Sequence, residues 1–218
     1  MKPAGIAPRY IVVEGPIGVG KTSLVERLAE RLSGRTLLET ADDNPFLADF
    51  YKDRRRSAFQ AQLWFLLSRF RQQQELAQGE LFGQTLVADY LFAKDKIFAY
   101  LNLEEHELAL YERVHALLEV RVPTPDLVIF LQANTETLLR RIHVRGKSYE
   151  RELERKYLES LNTAYTHFFF HYEASPLLVV NTSDIDFVKR PEDFEDLVKT
   201  IQDARAGTRY YVPRGSKK

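Results

Sequence analysis

The sequence predicts an α/β fold, a five-stranded parallel sheet covered by helices on both faces. Three observations point there. Short apolar runs rich in β-branched residues alternate along the chain with longer segments of helical spacing. One of these runs, Asp126-Leu127-Val128-Ile129-Phe130-Leu131, is apolar without alternation, the pattern of a strand buried on both faces. The turn after the first run reads Gly15-Pro16-Ile17-Gly18-Val19-Gly20-Lys21-Thr22 and fits the phosphate-binding pattern G-x-x-x-x-G-K-[ST] without mismatch.

Each element follows from its own residues. Tyr10-Ile11-Val12-Val13 reads as the first strand, over 10–14, and Leu24, Val25, Leu28 and Leu32 recur at helical spacing over 21–33, stopped by Ser33-Gly34. Thr36-Leu37-Leu38-Glu39 is a short second strand. Asp43-Asn44-Pro45 pairs a capping residue with proline at a first helical position. A long helix is expected from Arg54 to Gln78, with Ala58, Ala61, Phe65 and Leu76 on recurring faces. The third strand, 84–88, ends at Asp89, and a helix over 104–120 leads to the apolar strand four. Helices over 135–144 and 149–173 follow, then Leu177-Leu178-Val179-Val180 as strand five and a last helix over 191–205 opened by Pro191. Residues 1–206 read as one domain, and 207–218 as a mobile tail.

Composition narrows the function. Lys+Arg and Asp+Glu number 31 each, so no global field recruits nucleic acid or an anionic membrane. Cysteine is absent, which excludes disulfides, zinc–thiolate sites and thiol nucleophiles and suits a reducing compartment. With neither a signal-peptide core nor an apolar stretch of spanning length, a cytoplasmic protein is expected.

The glycine-rich turn identifies a nucleoside triphosphate site. Backbone N–H groups of Gly15, Pro16's neighbours, Ile17, Gly18, Val19 and Gly20, together with the helix start at Lys21, Thr22 and Ser23, cradle phosphates. Lys21 reaches the terminal phosphates of ATP, and the Thr22 hydroxyl ligates Mg²⁺. Ligands in doubly wound sheets sit outside the carboxyl ends of the strands. That rule selects Glu39 and Asp89, either able to take a proton from an acceptor hydroxyl or hold Mg²⁺. It also selects the basic run Arg140-Arg141-Ile142-His143-Val144-Arg145-Gly146-Lys147. Arg141 and Arg145 share a helix face there, and Gly146 permits a hinge, as a cationic lid of about 140–150 requires. His167 and His171 have a metal-ligand spacing, but Phe168-Phe169-Phe170 between them favours a packed helix. Core packing is the reading for Trp64.

Together these residues resemble the deoxynucleoside kinases, in particular the bacterial deoxyadenosine/deoxyguanosine kinase-like branch with its P-loop kinase fold. The resemblance runs through Glu14-Gly15-Pro16-Ile17-Gly18-Val19-Gly20-Lys21-Thr22, Glu39-Thr40-Ala41-Asp42-Asp43-Asn44-Pro45-Phe46-Leu47 and Phe50-Tyr51-Lys52-Asp53. It continues through Gln62 and Arg69, seven apart, Asp95-Lys96-Ile97-Phe98-Ala99, and Arg141 to Lys147 with Glu150. It implies Glu39 as the base for a deoxyribose 5′-hydroxyl, Gln62 at the nucleobase edge, and Tyr51 with Glu150 on the sugar 3′-hydroxyl. It further implies Arg69 and Asp95 beside the base, Phe65 and Phe98 as stacking walls, and Arg141, Arg145 and Lys147 as lid cations. Lys147 stands where the family usually has arginine and lacks its bidentate fork. A homodimer formed through long helices is implied as well.

One departure stands out. The family commonly follows the acid at the end of strand three with arginine, and here Asp89 is followed by Tyr90-Leu91. Arg69 or a lid arginine are the candidates to replace that charge. The expected activity is transfer of the ATP γ-phosphate to a deoxynucleoside, purines favoured. The alternatives are a nucleoside monophosphate kinase and a nucleotide-binding relative with impaired catalysis.

Overall fold

A computed structural model describes residues 8–78, 84–204 and 206–211. Among the described residues six parallel strands form one sheet in the order β2-β3-β1-β4-β5-β6, where β1 is Tyr10–Glu14, β2 Arg35–Leu37, β3 Leu86–Ala88, β4 Leu127–Gln132, β5 Leu177–Asn181 and β6 Thr208–Tyr211. The chain winds from β1 to one side through β2 and β3, then crosses to the other through β4. Tyr10 to Glu14 and Leu127 to Leu131 are entirely buried, and the two edge strands are exposed, as their position dictates.

Among the described residues the helices are α1 (Lys21–Arg31), α2 (Leu47–Lys52), α3 (Arg54–Gln78), α4 (Asp95–Asn102), α5 (Glu105–Glu119), α6 (Thr135–Arg145), α7 (Arg155–Phe170) and α8 (Pro191–Asp203). Local chemistry sets their ends. The Asn134 carboxamide accepts from Thr137 N at 2.8 Å to start α6, and Glu104 and Glu107 make a reciprocal capping box at α5. Gly146 ends α6 at φ 70°, in the left-handed region. The main core joins the sheet to Leu24, Val25 and Leu28 of α1 and to Leu158, Leu161 and Tyr165 of α7. A smaller core of Leu66, Phe92, Ala99 and Tyr111 joins α3, α4 and α5.

The fold corrects four expectations. The sheet has six strands rather than five, because residues 208–211, expected in a mobile tail, pair in register with β5. Gly207, at φ 65°, makes the turn that admits them, and Leu177 N donates to its carbonyl at 3.0 Å. Residues 212–218 lie outside the described residues. Asp43-Asn44-Pro45 starts no α-helix: a 3₁₀ turn covers Ala41–Asp43, and Asn44 turns its buried side chain inward, donating to Ala61 O at 3.1 Å and accepting from Phe46 N at 2.9 Å. The expected helix over 149–173 divides into a 3₁₀ turn, Ser148–Glu152, and α7. Helix α4, which carries Asp95 and Phe98, was not expected at all.

Candidate active site

The segments that follow β1, β2, β3 and β5, with the last turn of α6, line one cleft of about 1130 Å³. At its floor the glycine-rich loop follows β1. Gly18 and Gly20 have φ of 82° and 103°, and a Cβ on Gly18 would sit 2.6 Å from Ile142 Cγ1. Only glycine serves at such a position. Gly20 is the N-cap of α1 and supplies no side-chain acceptor, so the first N–H groups of that helix are directed at the cleft mouth. Lys21 Nζ donates to Gly15 O at 2.7 Å and Pro16 O at 3.2 Å, folded over the loop it serves. Burial lowers its ammonium to about 8, against the opposing pull of Glu14.

Thr22 and Asp89 meet beside the loop. The Thr22 hydroxyl donates to Asp89 Oδ2 at 2.8 Å, while Asp89 Oδ1 accepts the backbone N–H of Glu39 at 2.7 Å. One carboxylate therefore joins the phosphate loop to the segment carrying the second acid. Glu39 lies two residues past the end of β2, and its N–H bond to Asp89 does the positioning expected of the strand end.

Glu39 stands in a buried ionic chain. Its Oε1 accepts from Arg69 Nε at 2.6 Å and from Arg69 Nη2; its Oε2 accepts from Lys94 Nζ at 3.2 Å. Arg69 Nη1 reaches Asp95 Oδ1, which also accepts from Gln62 Nε2 at 2.7 Å. Burial pushes the Glu39 carboxyl up, but Arg69 and Lys94 more than offset it and hold the group at about 2. Asp95 is the opposite case: burial dominates, and its carboxyl rises to about 6 despite Arg69. Gln62 Nε2 donates to Asp95 Oδ1 and to Asp95 O, which leaves its Oε1 as the acceptor it presents. Asp95 itself does not line the cleft. It lies behind Gln62 and Arg69 and orients both.

Gln62, Phe65, Phe98 and Tyr51 line the far end of the cleft, as the sequence suggests. Phe98 meets Tyr165 edge-on at 6.1 Å, and Arg69 lies 4.9 Å from the Phe65 ring centre. Trp64 is half-buried against Phe65 and outside the cleft wall. Tyr51 stacks on Tyr149 at 5.6 Å, and Glu150, also on the wall, pairs with Arg145 Nε at 3.2 Å and with Arg145 Nη2.

The lid cations separate into two kinds. Arg145 and Lys147 face the cleft from the end of α6 and the turn after it, and Lys147 Nζ bonds both oxygens of Asp42 at 2.7 and 2.8 Å. Arg141 also borders the cleft, but its guanidinium is spent on the framework. It donates to Val19 O at 3.0 Å, to Thr182 O and Oγ1 at 2.8 and 3.0 Å, and to Ile185 O at 3.2 Å. It thereby clamps the loop after β5, residues 183–190, against the phosphate loop.

Sequence reasoning missed four contributors. Lys94 carries no motif signal and reads as a surface lysine. Asp42, which accepts from both Tyr149 and Lys147, and Tyr149 are far apart in sequence. The loop at 183–190 follows a strand on the same rim as the other sites, so the strand-end rule would have selected it. The His167 and His171 rings lie 4.7 Å apart, tilted by 49°, and no cluster of three metal-ligating side chains occurs among the described residues.

A phosphate loop, an acid on the same rim, and an amide-and-aromatic end to the same cleft define a phosphotransferase that acts on a small molecule. The chain belongs to the deoxynucleoside kinase family, whose pattern it matches over residues 11–204. A deoxyguanosine kinase of Bacillus subtilis (strain 168) is 36% identical over 199 residues, covering 89% of this chain and 96% of that one. A deoxyadenosine/deoxycytidine kinase of the same organism is 33% identical, covering 88% and 90%. A deoxyadenosine kinase from M. mycoides, solved with dCMP and dCDP bound, superposes with a TM-score of 0.78 at 25% identity over 89% of this chain and 99% of that one. Among the described residues no helix is long and apolar enough to cross a membrane.

Proposed function

We propose that this kinase moves the γ-phosphate of ATP onto the 5′-hydroxyl of a purine deoxynucleoside. The observation that carries the reading is a single cleft running from the phosphate loop, past Glu39, to Gln62. Triphosphate lies on the loop amides with Lys21 at its terminal phosphates, and the nucleoside lies against Tyr51, Phe65 and Phe98. Gln62 presents an acceptor, Oε1, suited to an amino or imino N–H on the base edge. One relative is named for deoxyguanosine and the other for deoxyadenosine and deoxycytidine, so a purine is the base class the two share.

The hard oxygens of Thr22 and Asp89, 2.8 Å apart, suit Mg²⁺, which when bound neutralises charge on the β- and γ-phosphates. Glu39, ionised and fixed by two cations, accepts the 5′-hydroxyl proton's hydrogen bond and aims the oxygen at phosphorus. The transition state of phosphoryl transfer is loose, so orientation counts for more than early deprotonation. Arg145 and Lys147, paired with Glu150 and Asp42 but partly exposed, can exchange those carboxylates for phosphate and supply positive charge from the lid. At the acceptor end Arg69 and Lys94 are already committed to carboxylates, which favours an uncharged nucleoside over a nucleoside monophosphate.

We also propose a homodimer through α3 and α5. Leu67, Leu110, Leu117 and Val120 are apolar and exposed there, the last two at 75% and 86%. Leu117→Lys is expected to halve the mass seen by light scattering. The activity itself is tested by offering the four deoxynucleosides with Mg²⁺-ATP: monophosphate formed fastest from a purine supports the reading, and none from any refutes it.

A further inference from the structure

Position 90, next to the rim acid Asp89, offers no charge. Tyr90 is wholly buried, and the Arg69 guanidinium carbon and Lys94 Nζ both lie 6.0 Å from the centre of its ring. The cation comes instead from four residues further on. Lys94 ends the 3₁₀ turn Phe92–Lys94, which follows β3 after Asp89, Tyr90 and Leu91, and is 2% exposed. Its turn is fixed at both ends: Leu91 N donates to Glu14 Oε2 at 2.8 Å, and Lys94 N donates to Leu91 O at 3.0 Å.

Lys94 balances buried carboxylate charge, and it also makes a directed bond that no other group makes among the described residues. Glu14 already accepts from Gly15 N at 2.8 Å, Leu91 N at 2.8 Å and the Tyr165 hydroxyl at 3.2 Å, with Lys94 Nζ 3.8 Å from its Oε2. Glu39 already has the Arg69 fork on Oε1. What Lys94 adds is the one bond to Glu39 Oε2 given by the described residues, at 3.2 Å, made from the wall of the cleft. A carboxylate held on one oxygen can still turn about its last side-chain torsion, which is broad and shallow. Held on both oxygens from opposite sides, it presents a fixed lone pair.

We propose that Lys94 is a positioning residue for phosphoryl transfer: through Glu39 Oε2 it fixes the direction in which Glu39 faces the acceptor hydroxyl. The proposal rests on the kinase reading above for its kinetic arm and on geometry alone for its structural arm. A positioning role lowers kcat and spares ground-state binding.

The test is Lys94→Met, with kcat and KM measured against the purine deoxynucleoside and ATP, beside Glu39→Gln and the double variant. Expected are a kcat lower by about 10²-fold, KM values within about threefold, and a double variant no slower than Glu39→Gln by more than about twofold. A Lys94→Arg variant that recovers most of the lost rate supports the same reading. A kcat within about threefold of the parent, or losses that multiply in the double variant, overturns it. Crystal structures give the second arm, independent of turnover: Glu39 reoriented in Lys94→Met supports the proposal, and Glu39 unchanged overturns it even if the parent phosphorylates no nucleoside. Should Lys94→Met not fold, Glu14→Gln/Lys94→Met removes a neighbouring carboxylate with the cation and is read by the same criteria.

Discussion

Arg69 Nε donates to Glu39 Oε1 at 2.6 Å, tying the long helix α3 to the loop beyond β2. The same guanidinium reaches Asp95 on α4, so three elements around the cleft meet on one buried cation. Arg69 is buried against both acids, and they hold it charged in spite of that burial.

Arg69→Met leaves Asp95 buried without its cation and Glu39 with Lys94 alone. Breaking such a pair costs about 3–5 kcal/mol, because the remaining charges stay buried. Chemical denaturation should show that loss, and Arg69→Met/Asp95→Asn should recover part of it.

Gly18→Ala tests the phosphate loop. The φ of 82° disfavours any side chain, and the added Cβ would meet Ile142 Cγ1 at 2.6 Å. A cost of about 1–3 kcal/mol in stability is expected from backbone strain. Loss of ATP binding, read by calorimetry, should accompany it, because the loop amides no longer converge.

Charge at the lid should matter for rate rather than stability. Lys147 and Asp42 are both partly exposed, so Asp42→Asn should change stability by less than about 1 kcal/mol. Lys147→Ala should leave the melting temperature alike and lower kcat by about tenfold or more, since it removes a cation from the transferring phosphate. Parallel melting curves and steady-state rates check both.

His115 predicts an acid-side weakness. It is buried between Phe92 and Tyr111, and burial, aided by the Lys96 charge and opposed by Glu119, lowers its ring to about 4. An unfolded histidine titrates near 6.5, so between those values the unfolded chain binds the extra proton. Stability from this group is therefore complete above about pH 6.5 and is lost as pH falls towards 4, by about 3 kcal/mol in all. Urea unfolding across that window should flatten in His115→Leu.

Much of this was legible in the sequence, for physical reasons. The loop from Gly15 to Thr22 is legible because phosphate binding demands glycine and lysine at fixed spacing, and β4 because a strand covered on both faces is apolar without a break from Leu127 to Leu131. Glu39 and Asp89 followed from the rule for strand ends. Lys94 was not legible: a lysine's burial depends on which carboxylates the fold brings to it, and Glu14 and Glu39 are distant in sequence. β6 was hidden because an exposed edge strand of Thr208-Arg209-Tyr210-Tyr211 has the composition of a tail. Arg141 matched the lid pattern, and only the fold shows its guanidinium spent on the carbonyls of Val19, Thr182 and Ile185.

The most direct test of the central claim is a single-turnover measurement with Mg²⁺-ATP labelled on its γ-phosphate, comparing the parent with Glu39→Gln at saturating purine deoxynucleoside. The account predicts label on the 5′-oxygen in the parent and a rate lower by about 10²–10⁴-fold in the variant, with nucleoside still bound. Equal rates in the two proteins would contradict it.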